Sequence, residues 1–239
     1  SLQAANNEIG TIQPVLQISR LAHEVGAFFH VDAVQALGKM PVSMLDWECD
    51  FASFSAHKIY GPKGVGVLFV KGGPLRWPWP RPLRGGGQEG GLRPGTLNVP
   101  GIVGFGAACD RLRQRPANVL ENVATLRDLL EKKLISIYKN DIFVIGGEGL
   151  RLPNTLAMVI KNASAELILS IIKNSIIGTS SACMGNSKIT SHVLKALGFP
   201  DKAGENVIRI SLMESVTLDE ITQFSVFFQI AIDAALRVK

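Results

Sequence analysis

The sequence predicts an α/β chain organised as two α/β domains, and three observations predict it. Helix-period and strand-like apolar runs alternate through residues 15–70. A stretch rich in Gly and Pro, 72–100, interrupts that alternation. A long helical pattern at 119–138 then leads into a second alternation that continues to the C-terminal helix.

In chain order, Val15, Ile18, Leu21 and Val25 recur at helical spacing, after Pro14 in the first turn and before Gly26 at the end. Residues 27–31 read as a strand buried on both faces, and 51–55 and 65–70 as further short strands. The 72–100 stretch contains Trp77-Pro78-Trp79-Pro80 and reads as a long irregular connection, of a kind that is usually functional or mobile. Helices are expected at 102–112 and 119–138, strands at 142–145 and 155–160, and a helix at 165–173. A strand at 176–179, a helix at 189–197 and a strand at 207–212 follow. Thr217 caps the last helix, with Glu220 completing a capping box. The domain boundary is placed near residue 114, giving domains 1–113 and 114–239.

At 239 residues the chain is long enough for a real core, and 46% hydrophobic against 19% charged residues makes it globular. The formal net charge of +5 is mild and spread along the chain, so it reads as a solvated face, and no nucleic-acid partner is expected. Three cysteines, Cys49, Cys109 and Cys183, are far apart and odd in number. They fit neither a disulfide framework nor a zinc site, and they point to a reducing compartment. Cys49 and Cys109 are expected to pack. No apolar run reaches the length of a bilayer span and no signal peptide opens the chain, so no membrane partner is expected. The expected location is cytoplasmic, with an organelle matrix also compatible.

The strongest chemical signal is Ser55-Ala56-His57-Lys58, followed by Tyr60-Gly61-Pro62-Lys63-Gly64-Val65-Gly66. It puts a lysine at the C-terminal tip of a strand, where ligands bind in α/β sheets. There a lysine whose pKa falls on burial can condense with a carbonyl. Ser55 and His57 can hold an anionic group beside it. The plainer reading, a surface turn with an exposed lysine, weighs about the same on these residues alone. The second signal is His30-Val31-Asp32-Ala33-Val34-Gln35, again polar residues closing a buried strand. Asp32 alone reads best as a cap for loop amides. It also has the charge that a protonated pyridine nitrogen needs, and Gln35 can donate to a phenolic oxygen. No metal site is visible. His23 and His192 read as helix-surface residues, with no nearby carboxylate or cysteine pattern to make them ligands, and His30 as packed in the core.

The stretches Asn6-Asn7-Glu8-Ile9-Gly10, His30-Val31-Asp32-Ala33, Ser55 to Gly64, Gly85-Gly86-Gly87-Gln88-Glu89, Arg93-Pro94-Gly95-Thr96 and Ser181-Ala182-Cys183 occur in order along the chain. In sequence and interval they resemble the cysteine desulfurases of the class V aminotransferase superfamily. The resemblance implies pyridoxal-phosphate-dependent transferase fold type I, with part of the large cofactor-binding domain followed by a smaller C-terminal domain. It also implies removal of sulfur from L-cysteine, giving alanine and an enzyme persulfide for an acceptor protein such as an iron–sulfur scaffold.

By the same resemblance Lys58 carries the pyridoxal phosphate, Asp32 partners its ring nitrogen, and Gln35 and Asn7 lie near the phenolic oxygen and the substrate. Ser55 and His57 match phosphate ligands, and Lys58 and Cys183 match the catalytic pair. His57 can stack, bind phosphate or relay a proton, and the residues do not rank these roles. Thr96 matches a threonine that reaches the phosphate of the other subunit, implying a homodimer. Arg209 matches the arginine that grips the substrate carboxylate, a task suited to a guanidinium fork. Cys183 matches the persulfide-forming cysteine of the longer-loop class, within the small and polar run 179–187. A lone cysteine in such a run is otherwise more often structural.

The sequence departs from the family pattern at several positions. No glycine/threonine phosphate loop or ring-stacking histidine precedes Asn7, so the chain is expected to be N-terminally incomplete and inactive by itself. Val34 replaces a small polar residue, Met213 a glycine, and Met184-Gly185-Asn186 a Ser/Thr-rich loop. The alternatives are a selenocysteine lyase or a class V aminotransferase and, from another class, a truncated non-catalytic dimerising remnant. Cys183 argues against the aminotransferase, which needs no nucleophile there.

Overall fold

The computed structural model describes residues 1–81, 83–172, 177–179, 190–200 and 203–238. The chain divides into two compact units, Ser1–Ala5 with Gln13–Pro116, and Asn6–Ile12 with Ala117–Lys239.

The first unit is built on a sheet of β1 (Leu2–Gln3), β2 (His30–Asp32), β3 (Phe51–Ser55) and β4 (Gly66–Val70), in that order. β1, β2 and β3 run parallel, and β4 returns antiparallel to β3. Helix α1 (Val15–Glu24) precedes β2 and buries Val15 and Ser19. Its side fits a core of Ala4, Phe29, Val31, Trp47, Cys49 and Ala52. Residues 27–31 do not form the strand buried on both faces that their composition predicts. Only His30–Asp32 is strand, and Phe28 is 54% exposed while Phe29 is 3% exposed. The cause is a partner distant in sequence: the Phe29 amide donates to Asp50 Oδ2 at 2.8 Å. The same Asp50 oxygen lies 2.8 Å from His23 Nε2, so His23 has a carboxylate partner 27 residues away. His30 is half-buried, its two ring nitrogens 2.7 Å from Ser1 Oγ and Ser53 Oγ.

After β4 comes the long connection, with 3-10 turns at Pro74–Arg76 and Gln88–Gly91 among the described residues, the second broken by the left-handed Glu89 and Gly90. Helix α2 (Val99–Arg113) then starts under an Asn98 cap, whose Oδ1 accepts from Gly101 N at 3.1 Å. Phe105 and Ala108 of α2 pack on Ala56 and Ile59. Gly104 makes that approach possible, since a Cβ there would lie 2.5 Å from Pro62 Cγ. Cys109 faces outward on α2 and is exposed, so it does not pack as expected; Cys49 is buried.

The second unit opens with α3 (Val119–Tyr138) and an antiparallel sheet in the order β5 (Ile142–Val144), β6 (Thr155–Ile160), β8 (Val207–Ser211), β7 (Ile177–Thr179). Helices α4 (Ala165–Ile171), α5 (His192–Ala196) and α6 (Leu218–Arg237) complete it. The expected positions Lys173, Ile176 and Ile189 lie outside the described residues.

Strand periodicity decides what each face of this sheet carries. Leu156, Met158 and Ile160 of β6, with Ile208 and Ile210 of β8, pack with Leu130, Leu134, Ile168, Phe228 and Ile232 of the helices. The alternate residues Ala157, Val159 and Val207 pack with Ile9, Ile145 and Leu194. β6 is therefore apolar on both faces, which is why it reads as a continuous hydrophobic run. Segment 6–12 covers the second face, and Arg209 of β8, opposite Ala157 in register, belongs to that face.

Candidate active site

In the first unit the chemistry gathers at one end of the sheet. β2 and β3 are parallel, with Asp32 opposite Ser53, so Asp32 and the Ser55-Ala56-His57-Lys58 run close neighbouring strands at the same end. Asp32 is held by its own turn, its Oδ1 accepting from Val34 N at 3.0 Å. After Ser55 the chain forms a single 3-10 turn, Ala56–Ile59, that buries Ala56 and Ile59 and leaves Lys58 half-buried between them. Tyr60 ends the turn at φ 66°, and Gly61 N donates to Ala56 O at 2.9 Å. A Cβ at Gly61 would lie 2.9 Å from that same carbonyl, so the turn requires glycine there. The buried pair Ala56 and Ile59 thus anchors the turn on α2, and the residues between them face outward.

His57 is exposed, with Nδ1 2.8 Å from Ser55 Oγ. Its imidazole is held below the ordinary histidine value, first by lost hydration and then by the positive charges of Lys58, Lys63 and Lys39. A neutral imidazole next to a hydroxyl and an amine gives a set of donors that an anion can bridge. Gln35 follows in the turn after β2, its Oε1 accepting from Lys39 Nζ at 2.6 Å. Sequence reasoning passes over Lys39, although its place four residues after Gln35 in a helix-like turn is a readable signal.

Thr96 is exposed on the connection before α2 and shares no element with this group. Its carbonyl, with that of Gly95, accepts from Arg93 Nη1 at 2.9 and 3.1 Å, which shapes the Arg93-Pro94-Gly95-Thr96 loop.

The second unit brings Asn7 and Arg209 together. Arg209 Nη1 donates to the Asn7 carbonyl at 2.8 Å, and Nε is buried without a hydrogen-bond partner among the described residues. Cys183, and the polar run around it from Ser180 to Ser187, lie outside the described residues. Among the described residues no helix is long and apolar enough to cross a membrane.

The donor set of the first unit fits pyridoxal phosphate. It has an amine for the carbonyl, a carboxylate for the ring nitrogen, and a hydroxyl and imidazole for the phosphate.

The Aminotransferase class-V family pattern matches residues 1–224. A cysteine desulfurase of Sinorhizobium fredii is 41% identical over 214 residues, covering 89% of this chain and 54% of the relative. One from Gluconacetobacter diazotrophicus is 42% identical, covering 91% and 54%, and the cysteine desulfurase NifS of Azotobacter vinelandii is 39% identical, covering 92% and 54%. The chain therefore spans about half the length of the curated relatives it matches. Among solved structures, a NifS-like protein from Rickettsia africae ESF-5 superposes with a TM-score of 0.84 at 30% identity, covering 97% of this chain and 62% of that one.

Proposed function

The chain belongs to the aminotransferase class-V family, and on that premise we propose that it serves a pyridoxal-phosphate-dependent cysteine desulfurase. The observation that carries the reading is the convergence of Asp32 and Ser55-His57-Lys58 at one end of two parallel strands. The likeness to relatives named cysteine desulfurases supports the choice within the family.

Pyridoxal phosphate, when bound, supplies an electron-accepting ring that stabilises negative charge on the substrate's α-carbon. Lys58 would hold the cofactor through its amine and would carry the proton taken from the substrate's α-carbon. Asp32 keeps the ring nitrogen protonated, and Gln35 donates to the phenolic oxygen. Ser55 and His57 hold the phosphate, and Thr96 does so toward a second subunit, which makes the active form a homodimer. Asn7 lies beside the substrate, and Arg209 grips the substrate carboxylate. The Cys183 thiolate attacks the sulfur of L-cysteine; a sulfur–sulfur bond forms on Cys183 as the carbon–sulfur bond breaks, the bonding pair stays with the β-carbon, which takes up a proton, and alanine leaves. The persulfide then passes to the thiol of an acceptor protein, of which an iron–sulfur scaffold is one kind.

The test is to load the chain with pyridoxal phosphate, reduce it with borohydride and map the labelled peptide. The label is expected on Lys58 and absent from Lys58→Ala. With L-cysteine and a reducing thiol, the chain by itself is expected to release no sulfide; supplied with the N-terminal half of a relative, it is expected to release alanine and sulfide in equal amounts. Cys183→Ser should keep the visible cofactor band and lose the persulfide. A label elsewhere, or undiminished sulfide from Cys183→Ser, overturns the reading.

A further inference from the structure

On the sheet face formed by Ala157, Val159 and Val207, Arg209 does not stand alone. Its Nη1 donates to the carbonyl of Asn7 at 2.8 Å, and that carbonyl lies within a tight turn built by Asn6. Asn6 Oδ1 accepts from Glu8 N at 2.8 Å and from Ile9 N at 3.0 Å. The Asn6 carbonyl accepts from Gly10 N at 3.0 Å, and its own amide donates to Thr11 O at 2.9 Å. The turn also lies hard against β6. Gly10 has φ +75°, and a Cβ there would come within 2.9 Å of Thr155 Cβ. Further along, Leu152 N donates to Gly10 O and Ile12 N to Leu150 O, both at 2.8 Å, so the segment is tied down at its far end as well.

We infer that Asn6 is a positioning residue for Arg209: its side chain closes the turn that presents the Asn7 carbonyl, and that carbonyl sets the plane of the guanidinium. The inference rests on the proposed role of Arg209 in gripping the substrate carboxylate. A bidentate grip depends on the orientation of a planar fork, and a long side chain with several free torsions does not supply that orientation by itself. One N–H anchored to a fixed carbonyl removes the rotation about the last bonds and leaves further N–H donors for the ligand. Asn6 touches no substrate. It acts through the carbonyl of the next residue, and Oδ1 is the acceptor for two amides that would otherwise open the turn.

The experiment compares Asn6→Ala and Asn6→Asp with the parent chain, each joined to the N-terminal half of a relative and loaded with pyridoxal phosphate. Asn6→Asp keeps an oxygen acceptor at the same distance along the side chain; Asn6→Ala has none. Asn6→Ala is expected to raise KM for L-cysteine about tenfold with kcat within about twofold, and Asn6→Asp to restore KM to within about twofold. A second readout needs no turnover: the Arg209 Nε–H resonance, identified by its loss in Arg209→Lys, should exchange with water faster in Asn6→Ala and at the parental rate in Asn6→Asp. Unchanged Nε–H exchange in Asn6→Ala overturns the inference. So does a fall in kcat and thermal stability that Asn6→Asp fails to rescue, which would make Asn6 merely structural. If the parent completed with that N-terminal half releases no sulfide, the desulfurase reading fails, and the exchange measurement still decides the role of Asn6.

Discussion

Gln35 Oε1 accepts a hydrogen bond from Lys39 Nζ at 2.6 Å, and that contact decides which end of the Gln35 amide is left to act. With the oxygen engaged by the ammonium, the NH2 group is the end available as a donor. Gln35→Glu keeps an acceptor for Lys39 and removes the donor. It should leave thermal unfolding nearly unchanged and weaken the binding of pyridoxal phosphate by about tenfold, the scale for a hydrogen bond to a charged oxygen. Titration of the visible absorbance measures it. Unchanged cofactor affinity would remove Gln35 from the site.

The Ser55–His57 pair predicts a pH dependence. His57 titrates below the ordinary histidine value, through lost hydration first and the charges of Lys58, Lys63 and Lys39 next. The unfolded chain therefore takes up the proton at a higher pH than the folded one. Any stability tied to neutral His57 is then present above the unfolded value and is lost as pH falls through the folded one. In a histidine NMR titration of the chain, the inflection of His57 should lie below 6.5. It should rise in Lys58→Met, and it should rise with salt, because His57 is exposed and the lysine charges are screened. An inflection at or above the ordinary value contradicts the picture of a neutral anion-binding imidazole.

The capping box at the start of α6 gives a prediction confined to stability. Glu220 N donates to Thr217 Oγ1 at 3.2 Å, and Thr217 N donates to Glu220 Oε2 at 2.8 Å. Thr217→Ala removes one half of this exchange and should cost about 1 kcal/mol. A shift in the denaturant midpoint without a change in slope is the expected result. Cofactor binding should not change.

That box was readable from the sequence because every partner lies within four residues. The same locality explains α3 and β6, whose bounds at Val119–Tyr138 and Thr155–Ile160 coincide with the periodic and continuous apolar runs. What was not readable depended on distant partners. Residues 27–31 have strand composition, yet the carboxylate of Asp50, 21 residues away from Phe29, captures an amide and shortens the strand. Cys109 lies among small apolar residues on α2, but the face that meets Ala56 and Ile59 is the one carrying Phe105 and Ala108. In the site, Asp32, Ser55, His57 and Lys58 were visible as polar residues closing apolar strands. Their common end of the sheet required the parallel pairing of β2 and β3. The role of Asn6 was invisible, because its meaning depends on a carbonyl met by an arginine 202 residues further on.

Arg209 separates the functional from the structural account of the second unit most sharply. Its Nη1 bond to the Asn7 carbonyl at 2.8 Å belongs equally to a clamp that holds segment 6–12 and to a fork oriented for a carboxylate. Arg209→Lys tells them apart. Lysine keeps the positive charge and can still reach a carbonyl with one N–H, but it has no planar pair of donors. If the fork grips substrate, the variant should fold with little loss of stability. KM for L-cysteine, measured with the N-terminal half of a relative supplied, should then rise by roughly tenfold to a hundredfold, corresponding to about 1.5–3 kcal/mol for a charged hydrogen bond. Competitive binding of L-alanine, which keeps the carboxylate and lacks the sulfur, should weaken by a similar factor. If the clamp is the whole role, the losses reverse: the denaturant midpoint falls, and the surviving folded enzyme keeps the parental KM and the parental affinity for L-alanine. That second outcome would take Arg209 out of the substrate site.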